Sequence, residues 1–257
     1  MSIEFITLDY EDDIALIGLN RPDKRNAISD RFVASIDKAV QEVQQHAKVG
    51  IFYGHGSHFS AGLDLSEISH KSHFENIQGS RAWHAAFDRI QRGGIPFVSA
   101  LHGAVVGGGL ELAASTHVRV ADETAFFAMP EGQRGIFVGG GGSVRIARLM
   151  SEARLTDLML TGRVLNAEEG ERANLVQYLV QPGHALAKAK ELAASIASHA
   201  PMSNYAVTNV LPRIQDMAQD DGLFVESLAA AFTATSPEAR ARLDDFLAKR
   251  AAPLRGS

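Results

Sequence analysis

Residues 102–113 read HGAVVGGGLELA. Gly107, Gly108 and Gly109 give up side-chain packing, and Glu111 then sets a carboxylate in an apolar stretch, where burying a charge is costly. A second carboxylate, Glu131, follows in AMPEGQRG, just behind Pro130. A glycine run that leads into a helix exposes backbone N–H groups at the end where the dipole favours negative charge. If LELAAST is that helix, Gly107–Gly109 form a donor-lined turn able to hold a developing oxyanion. One such donor is worth roughly 3–4 kcal/mol in a transition state. Two carboxylates beside it could divide general-acid and general-base work, typically about 10²–10⁴-fold. A plainer reading stays open, in which an acid in a first helical turn serves only the dipole and the glycines only permit close packing.

Other chemistries find less support. The runs GGG at 107–109 and GGGG at 139–142 do not complete G-x-G-x-x-G, and no G-x-x-x-x-G-K-[ST] occurs. There is no G-x-S-x-G elbow. His55/His58 and His70/His73 have ligand-like spacing but lack HExxH or an adjoining acidic cluster, so they read as turn or surface histidines and no metal is expected. The absence of cysteine removes disulfides, thiolate nucleophiles and Cys-based metal sites. A formal net charge of -5 argues against nucleic-acid binding.

The elements that must position these groups alternate in type. Ile3–Tyr10 and Ile14–Leu19 flank the acidic EDD turn as a strand pair. Phe32, Val33, Ile36, Ala39, Val40 and Val43 fall on one helical face behind Ser29 as N-cap. Strands are expected at Val49–Tyr53, Phe97–Leu101, Val118–Ala121 and Ala125–Phe127, with a polar helix-compatible stretch at 66–92. AGLDL at 61–65 and GGLEL at 108–112 echo one another. Beyond about residue 183 the pattern turns helical, and Ser236-Pro237 opens the last helix. This is a mixed α/β chain. Its 46% hydrophobic and 21% charged residues suit a soluble domain. The acidic N-terminus lacks the flank and core of a signal peptide. The longest uncharged stretch, 93–110, is too glycine-rich for a membrane span and reads as protein interior. A cytoplasmic protein with no membrane partner is expected.

Over nearly its whole length the chain resembles the crotonase (enoyl-CoA hydratase/isomerase) superfamily. The elements that carry the likeness occur in family order: LNRPDKRNAIS at 19–29, HFSAGLDL at 58–65, HGAVVGGGLELA at 102–113, MPEGQRGIFVGGGGSVRIARLM at 129–150 and LTGRVLNAEEGERANLVQYLV at 160–180. The resemblance implies a spiral of ββα units over residues 1–195, with a C-terminal helical trimerisation subdomain over 196–257. Two trimers would stack as a homohexamer. The substrate would be an acyl-CoA thioester, with no separate cofactor because coenzyme A belongs to the substrate.

Carried over residue by residue, the likeness places an oxyanion hole at the backbone N–H groups of Leu63 and Gly108, and catalytic glutamates at Glu111 and Glu131. Glu111 would activate a water and Glu131 would position it and relay a proton. Lys24, Arg25, Ala27, Ala61, Asp64 and Leu65 would contact coenzyme A, with Lys249 and Arg250 reaching phosphates from the tail. Trp83, His84 and Phe87 would face the acyl group, although Trp83 and Phe87 are also spaced as core residues. Retention of both glutamates favours a hydratase. An isomerase needing only Glu131, or a thioester hydrolase, is the alternative within the fold. A binding relative without catalysis is the alternative outside it. HGAVVGGGLELA, PEGQRGIFVGGGGSVR and the Trp83-His84 segment most resemble the methylthioacryloyl-CoA hydratases of bacterial dimethylsulfoniopropionate breakdown. That implies hydration followed by thioester hydrolysis, yielding acetaldehyde, methanethiol, CO2 and free CoA.

Overall fold

The computed structural model describes residues 3–66 and 71–248. Lys249 and Arg250, and His70 of the second histidine pair, lie outside them. The chain divides into two compact units, Met1–Ala197 and Ser198–Ser257.

In the first unit, β1 (Ile6–Glu11) and β2 (Ile14–Leu19) form an antiparallel pair about the Asp12-Asp13 turn, where Asp12 takes a left-handed φ of 51°. The first strand starts later than its apolar run, because Phe5 also adopts a positive φ. The sheet continues in parallel through β3 (Val49–Gly54), β4 (Phe97–Leu101), β6 (Val118–Asp122) and β9 (Tyr178–Val180), in the order β1-β2-β3-β4-β6-β9. Ala15, Ile17, Leu19 and Phe52 point to one face, and Leu16, Ile51, Val98 and Ala100 to the other, the period-2 signature of strands buried on both sides. The first face packs on α1 (Asp30–His46) and α2 (His73–Arg92), the second on α7 (Ala185–Ala197) through Ala185, Ala189 and Ala193. Ser29 caps α1 as expected, its side chain accepting the Phe32 N–H at 3.1 Å. Ser72 and Glu75 form a reciprocal capping box that starts α2.

A second sheet, β5-β7-β8, is built from short strands: β5 (Ala104–Val106), β7 (Phe126–Ala128) and β8 (Val164–Asn166). The first of these lies inside the glycine-rich stretch and gives no alternating signal. The helix that follows, α3 (Gly108–Ala113), also differs from expectation. Gly108 and Gly109 are within it, and only Gly107 precedes it as N-cap, with φ 50°. Close packing explains this, since a Cβ on Gly109 would stand 2.7 Å from the Ser60 carbonyl oxygen. The remaining helices of the unit are α4 (Gly142–Met150), α5 (Glu152–Thr161) and α6 (Ala167–Arg172).

The second unit is helical over its described residues: α8 (Pro201–Tyr205), α9 (Leu211–Ile214), α10 (Gln219–Ala234) and α11 (Pro237–Leu247), the last capped by Ser236. Among the described residues no helix is long and apolar enough to cross a membrane.

The register of the small sheet sets the site. β5 and β7 run parallel with Val106 opposite Ala128, and Ser60 bridges to Val105 on the other side. The segments that leave these strands, 61–63, 107–111 and 129–131, therefore emerge side by side at one sheet end, where parallel strands leave a crevice. Phe32 of α1 is fully buried in the core, against Phe5. Phe32→Ala should cost about 3–5 kcal/mol and Ser29→Ala only about 1 kcal/mol, read as midpoint shifts in urea unfolding.

Candidate active site

A cavity of about 340 Å³ opens at this sheet end. Leu63, Gly108, Glu111 and Glu131 all line it. Two loops meet there backbone to backbone. Gly62, at φ 93°, would place a Cβ 2.6 Å from the Val106 carbonyl oxygen and 3.5 Å from the Gly108 nitrogen. A Cβ on Gly108 would lie 3.6 Å from the Leu63 nitrogen. Two amide nitrogens are thus neighbours in the wall. Among the described residues neither N–H donates to a protein acceptor: Gly108 is the first residue of its helix, and the bridge from Leu63 to Ile28 uses the Gly62 carbonyl and the Asp64 N–H instead.

Glu111 is 3% exposed and Glu131 8%. Oε1 of Glu111 accepts the N–H of Gly140 at 2.9 Å and of Gly142 at 2.7 Å. Burial pushes its carboxyl up to about 7. The Gly142 N–H works against that rise, the Glu131 charge adds to it, and the Gly140 N–H and the Arg145 guanidinium oppose it. Burial also raises Glu131, outweighing its own backbone N–H and the charge of Arg134. Oε2 of Glu131 is buried with no hydrogen-bond partner. The two acids are therefore unlike: one is held by two donors that favour its anion, the other presents an unsatisfied oxygen to the cavity.

Of the residues expected to face an acyl group, Trp83 lines the cavity, and Phe87 and His84 do not. Phe87 is fully buried behind Trp83, edge-on at 5.6 Å, because it points one helical turn further into the core. His84 turns towards Ser80 and Gly141. Trp83 is fixed by a hydrogen bond from its indole N–H to Oδ1 of Asp30 at 3.1 Å. Asp30 also pairs with Lys71. Burial pushes the Asp30 carboxyl up, but Lys71 and Trp83 together outweigh this and hold it below the usual carboxylate range.

Of the residues expected to contact coenzyme A, Ala61 and Leu65 line the cavity. Lys24 and Arg25 are exposed on the turn after Pro22, and the Arg25 carbonyl accepts the Ala61 N–H at 2.9 Å, which brings that turn to the cavity edge. Ala27 is half-buried, and its carbonyl accepts from Arg21. The Asp64 side chain does not line the cavity and is paired with Arg21 at 2.8 Å. Asn26 ties these loops together, its Nδ2 donating to the carbonyls of His55 and His58. His58 accepts the Ala104 N–H and His55 bonds Thr7, so both histidines are spent on hydrogen bonds. Asn26, Arg21 and the Gly140–Gly142 donors were visible in the sequence only as members of motifs, with no sign of what they would hold.

The model for the family described as enoyl-CoA hydratase/isomerase matches residues 9–256. The chain belongs to that family. Among solved structures it is similar to the "putative enoyl-CoA hydratase" of Rhodopseudomonas palustris, with a TM-score of 0.94 at 44% identity, covering 97% of this chain and 96% of that one. It is 29% identical to the short-chain-enoyl-CoA hydratase of Clostridium acetobutylicum over 97% of each chain, and 28% identical to the 2,3-dehydroadipyl-CoA hydratase of Escherichia coli over 95% of each. The mixed α/β fold with two sheets and C-terminal helices is that of the family.

The Glu111 cradle gives a steric prediction. A methyl on Gly140 would stand 2.9 Å from Oε2 of Glu111 and 3.0 Å from Trp83, whereas one on Gly139 would meet only Ser80 Oγ, at 3.9 Å. Gly140→Ala should lower turnover of an enoyl-CoA by about 10²-fold, and Gly139→Ala far less. Steady-state kinetics on folded variants checks this.

Proposed function

We propose that the protein is an enoyl-CoA hydratase that adds water across the 2,3-double bond of an acyl-CoA thioester. The observation that carries the reading is the convergence of two buried, unlike carboxylates on one cavity with two unused backbone N–H groups. The thioester oxygen would sit between the N–H groups of Leu63 and Gly108, which stabilise the enolate-like charge that develops there. Glu111, with two donors favouring its anion, takes a proton from water as the water oxygen bonds to C3. The π electrons move towards the thioester, and Glu131, in its protonated form, supplies a proton to C2. Return of a proton from Glu111 to Glu131 resets the pair. Because the acids interact, the pH dependence belongs to the pair rather than to either alone.

Ala61 and Leu65 would line the path of coenzyme A, with Lys24, Arg25 and Ala27 at its edge and Trp83 against the acyl group. The finer reading, a methylthioacryloyl-CoA hydratase that also hydrolyses the thioester, is supported by the likeness of HGAVVGGGLELA and PEGQRGIFVGGGGSVR to such enzymes. Assembly as a hexamer through the C-terminal helices is supported by Leu223, Phe224 and Phe232 of α10, each more than half exposed. Sedimentation of the purified protein tests that assembly.

Loss of conjugated-thioester absorbance is expected with crotonyl-CoA, without release of free thiol. Methylthioacryloyl-CoA should lose absorbance and also release thiol. Unchanged absorbance with both substrates and folded enzyme would overturn the hydratase reading. Glu111→Gln and Glu131→Gln should each reduce kcat by about 10²–10⁴-fold. An isomerase relying on Glu131 alone would survive the first. Since the base works as the anion and its carboxyl is raised to about 7, kcat/KM should climb with pH through that value.

A further inference from the structure

Each peptide unit that carries a donor to Glu111 is gripped at its carbonyl as well. The unit that offers the Gly140 N–H has its carbonyl, that of Gly139, bound by Ser80 Oγ of α2 at 2.7 Å. The next carbonyl, of Gly140, accepts from Nη1 of Arg145 at 3.1 Å. The unit that offers the Gly142 N–H has its carbonyl, that of Gly141, bound by the Arg145 backbone N–H at 2.9 Å. Arg145 therefore holds the loop twice. Its guanidinium also fills the space beside Gly141, where a Cβ would meet Nη1 at 2.3 Å, and Gly141 has a φ of 101°. The guanidinium is itself anchored. Nε donates to Oε1 of Gln91 at 2.8 Å, and the Gln91 carbonyl is bonded by the half-buried His117 at 3.1 Å. Only 11% of the Arg145 side chain is exposed.

We propose that Arg145 is a positioning residue for this reaction: anchored by Gln91, it fixes the Gly139–Gly142 loop so that the Gly140 and Gly142 N–H groups hold Glu111 in place. The inference rests on the hydratase reading for the role of Glu111, but not for the geometry. Arg145 does not line the cavity, so it acts through the loop and not on substrate. Its charge has a second consequence. The charged groups facing Glu111 are Glu131 from the loop after β7 and Arg145 from α4. Those facing Arg145, among the described residues, are Asp88, Arg92 and His84 of α2, and Glu111. Removing the guanidinium leaves Glu111 with burial and the Glu131 charge less opposed, so its carboxyl should rise further.

The test compares Arg145→Met, Arg145→Lys and Gln91→Leu with the unaltered enzyme, using crotonyl-CoA kinetics across pH and a ¹³C NMR titration of the Glu111 carboxyl assigned through Glu111→Gln. Arg145→Met should lower kcat by about 10–100-fold, with KM changed less than about threefold and the Glu111 midpoint raised. Arg145→Lys should return the midpoint towards that of the unaltered protein while recovering only part of kcat, because an ammonium replaces the charge but not the fork. Gln91→Leu keeps the cation and should lower kcat without moving the midpoint. An unmoved midpoint in Arg145→Met, or a loss in KM rather than kcat, would overturn the proposal. If Arg145→Met fails to fold, Gln91→Leu decides, and an unchanged kcat there counts against it. Failure of the unaltered enzyme to hydrate crotonyl-CoA, with the NMR midpoint still shifting in Arg145→Met, would remove the hydratase reading and leave the positioning role intact.

Discussion

A carboxylate buried to 3% exposure is the constraint around which the first unit is arranged. Desolvation of an unpaired carboxylate costs several kcal/mol in a protein interior, and the chain meets that cost at Glu111 with two backbone donors and no ion pair in direct contact. Backbone donors impose their own condition. They can approach a carboxylate from alternate peptides of one short turn only if no side chains intervene, and that is what the run GGGG at 139–142 supplies. A methyl at Gly140 or at Gly142 would stand 2.9 Å from a Glu111 oxygen. The run that looked like a failed nucleotide motif is the binding partner of a glutamate near residue 110.

Bringing that partner into place is the work of the sheets. Parallel pairing of β5 with β7 aligns Val106 with Ala128, so chain leaving the two strands turns into the same space. Three chain segments far apart in sequence are thereby stacked: an N–H comes from Leu63, an N–H and an acid from Gly108 and Glu111, and the second acid from Glu131. The α2 helix closes the arrangement from above. Trp83 stands on the cavity wall, Phe87 secures it from behind, and Ser80 reaches the glycine loop. The close approach of Gly62 to Val106 and of Gly109 to Ser60 shows how little room the backbones have.

Much of this was legible in the sequence where the signal is local. Phe32 to Val43 at helical spacing behind Ser29, the apolar runs of β2, β3 and β4, and the Ser236-Pro237 helix start each depend on neighbours within one turn or one strand. Glu111 and Glu131 stood out because their surroundings are apolar or turn-forming. What escaped depends on contacts across the chain. Ala104–Val106 is too short to alternate and is a strand only because Phe126–Ala128 pairs with it. Gly108 and Gly109 stand within the helix where Trp83 and Ser60, respectively, leave no space for a Cβ. The pairing of Asp30 with Trp83 and Lys71 joins the start of α1, the middle of α2 and the loop before it, and nothing in either stretch announces the other. His84 and Phe87 share a helix with Trp83, and only the helix rotation separates the one that lines the cavity from the two that do not.

The account turns on a thioester carbonyl held between the Leu63 and Gly108 N–H groups, within reach of the two acids. Infrared difference spectroscopy of bound butyryl-CoA, labelled with ¹³C at the carbonyl, reads that contact directly, since the saturated chain cannot react. Two donors aimed at the oxygen lengthen the C=O bond, so the stretch should move to lower wavenumber on binding. A bound ligand whose carbonyl absorbs where it does in water would contradict the account.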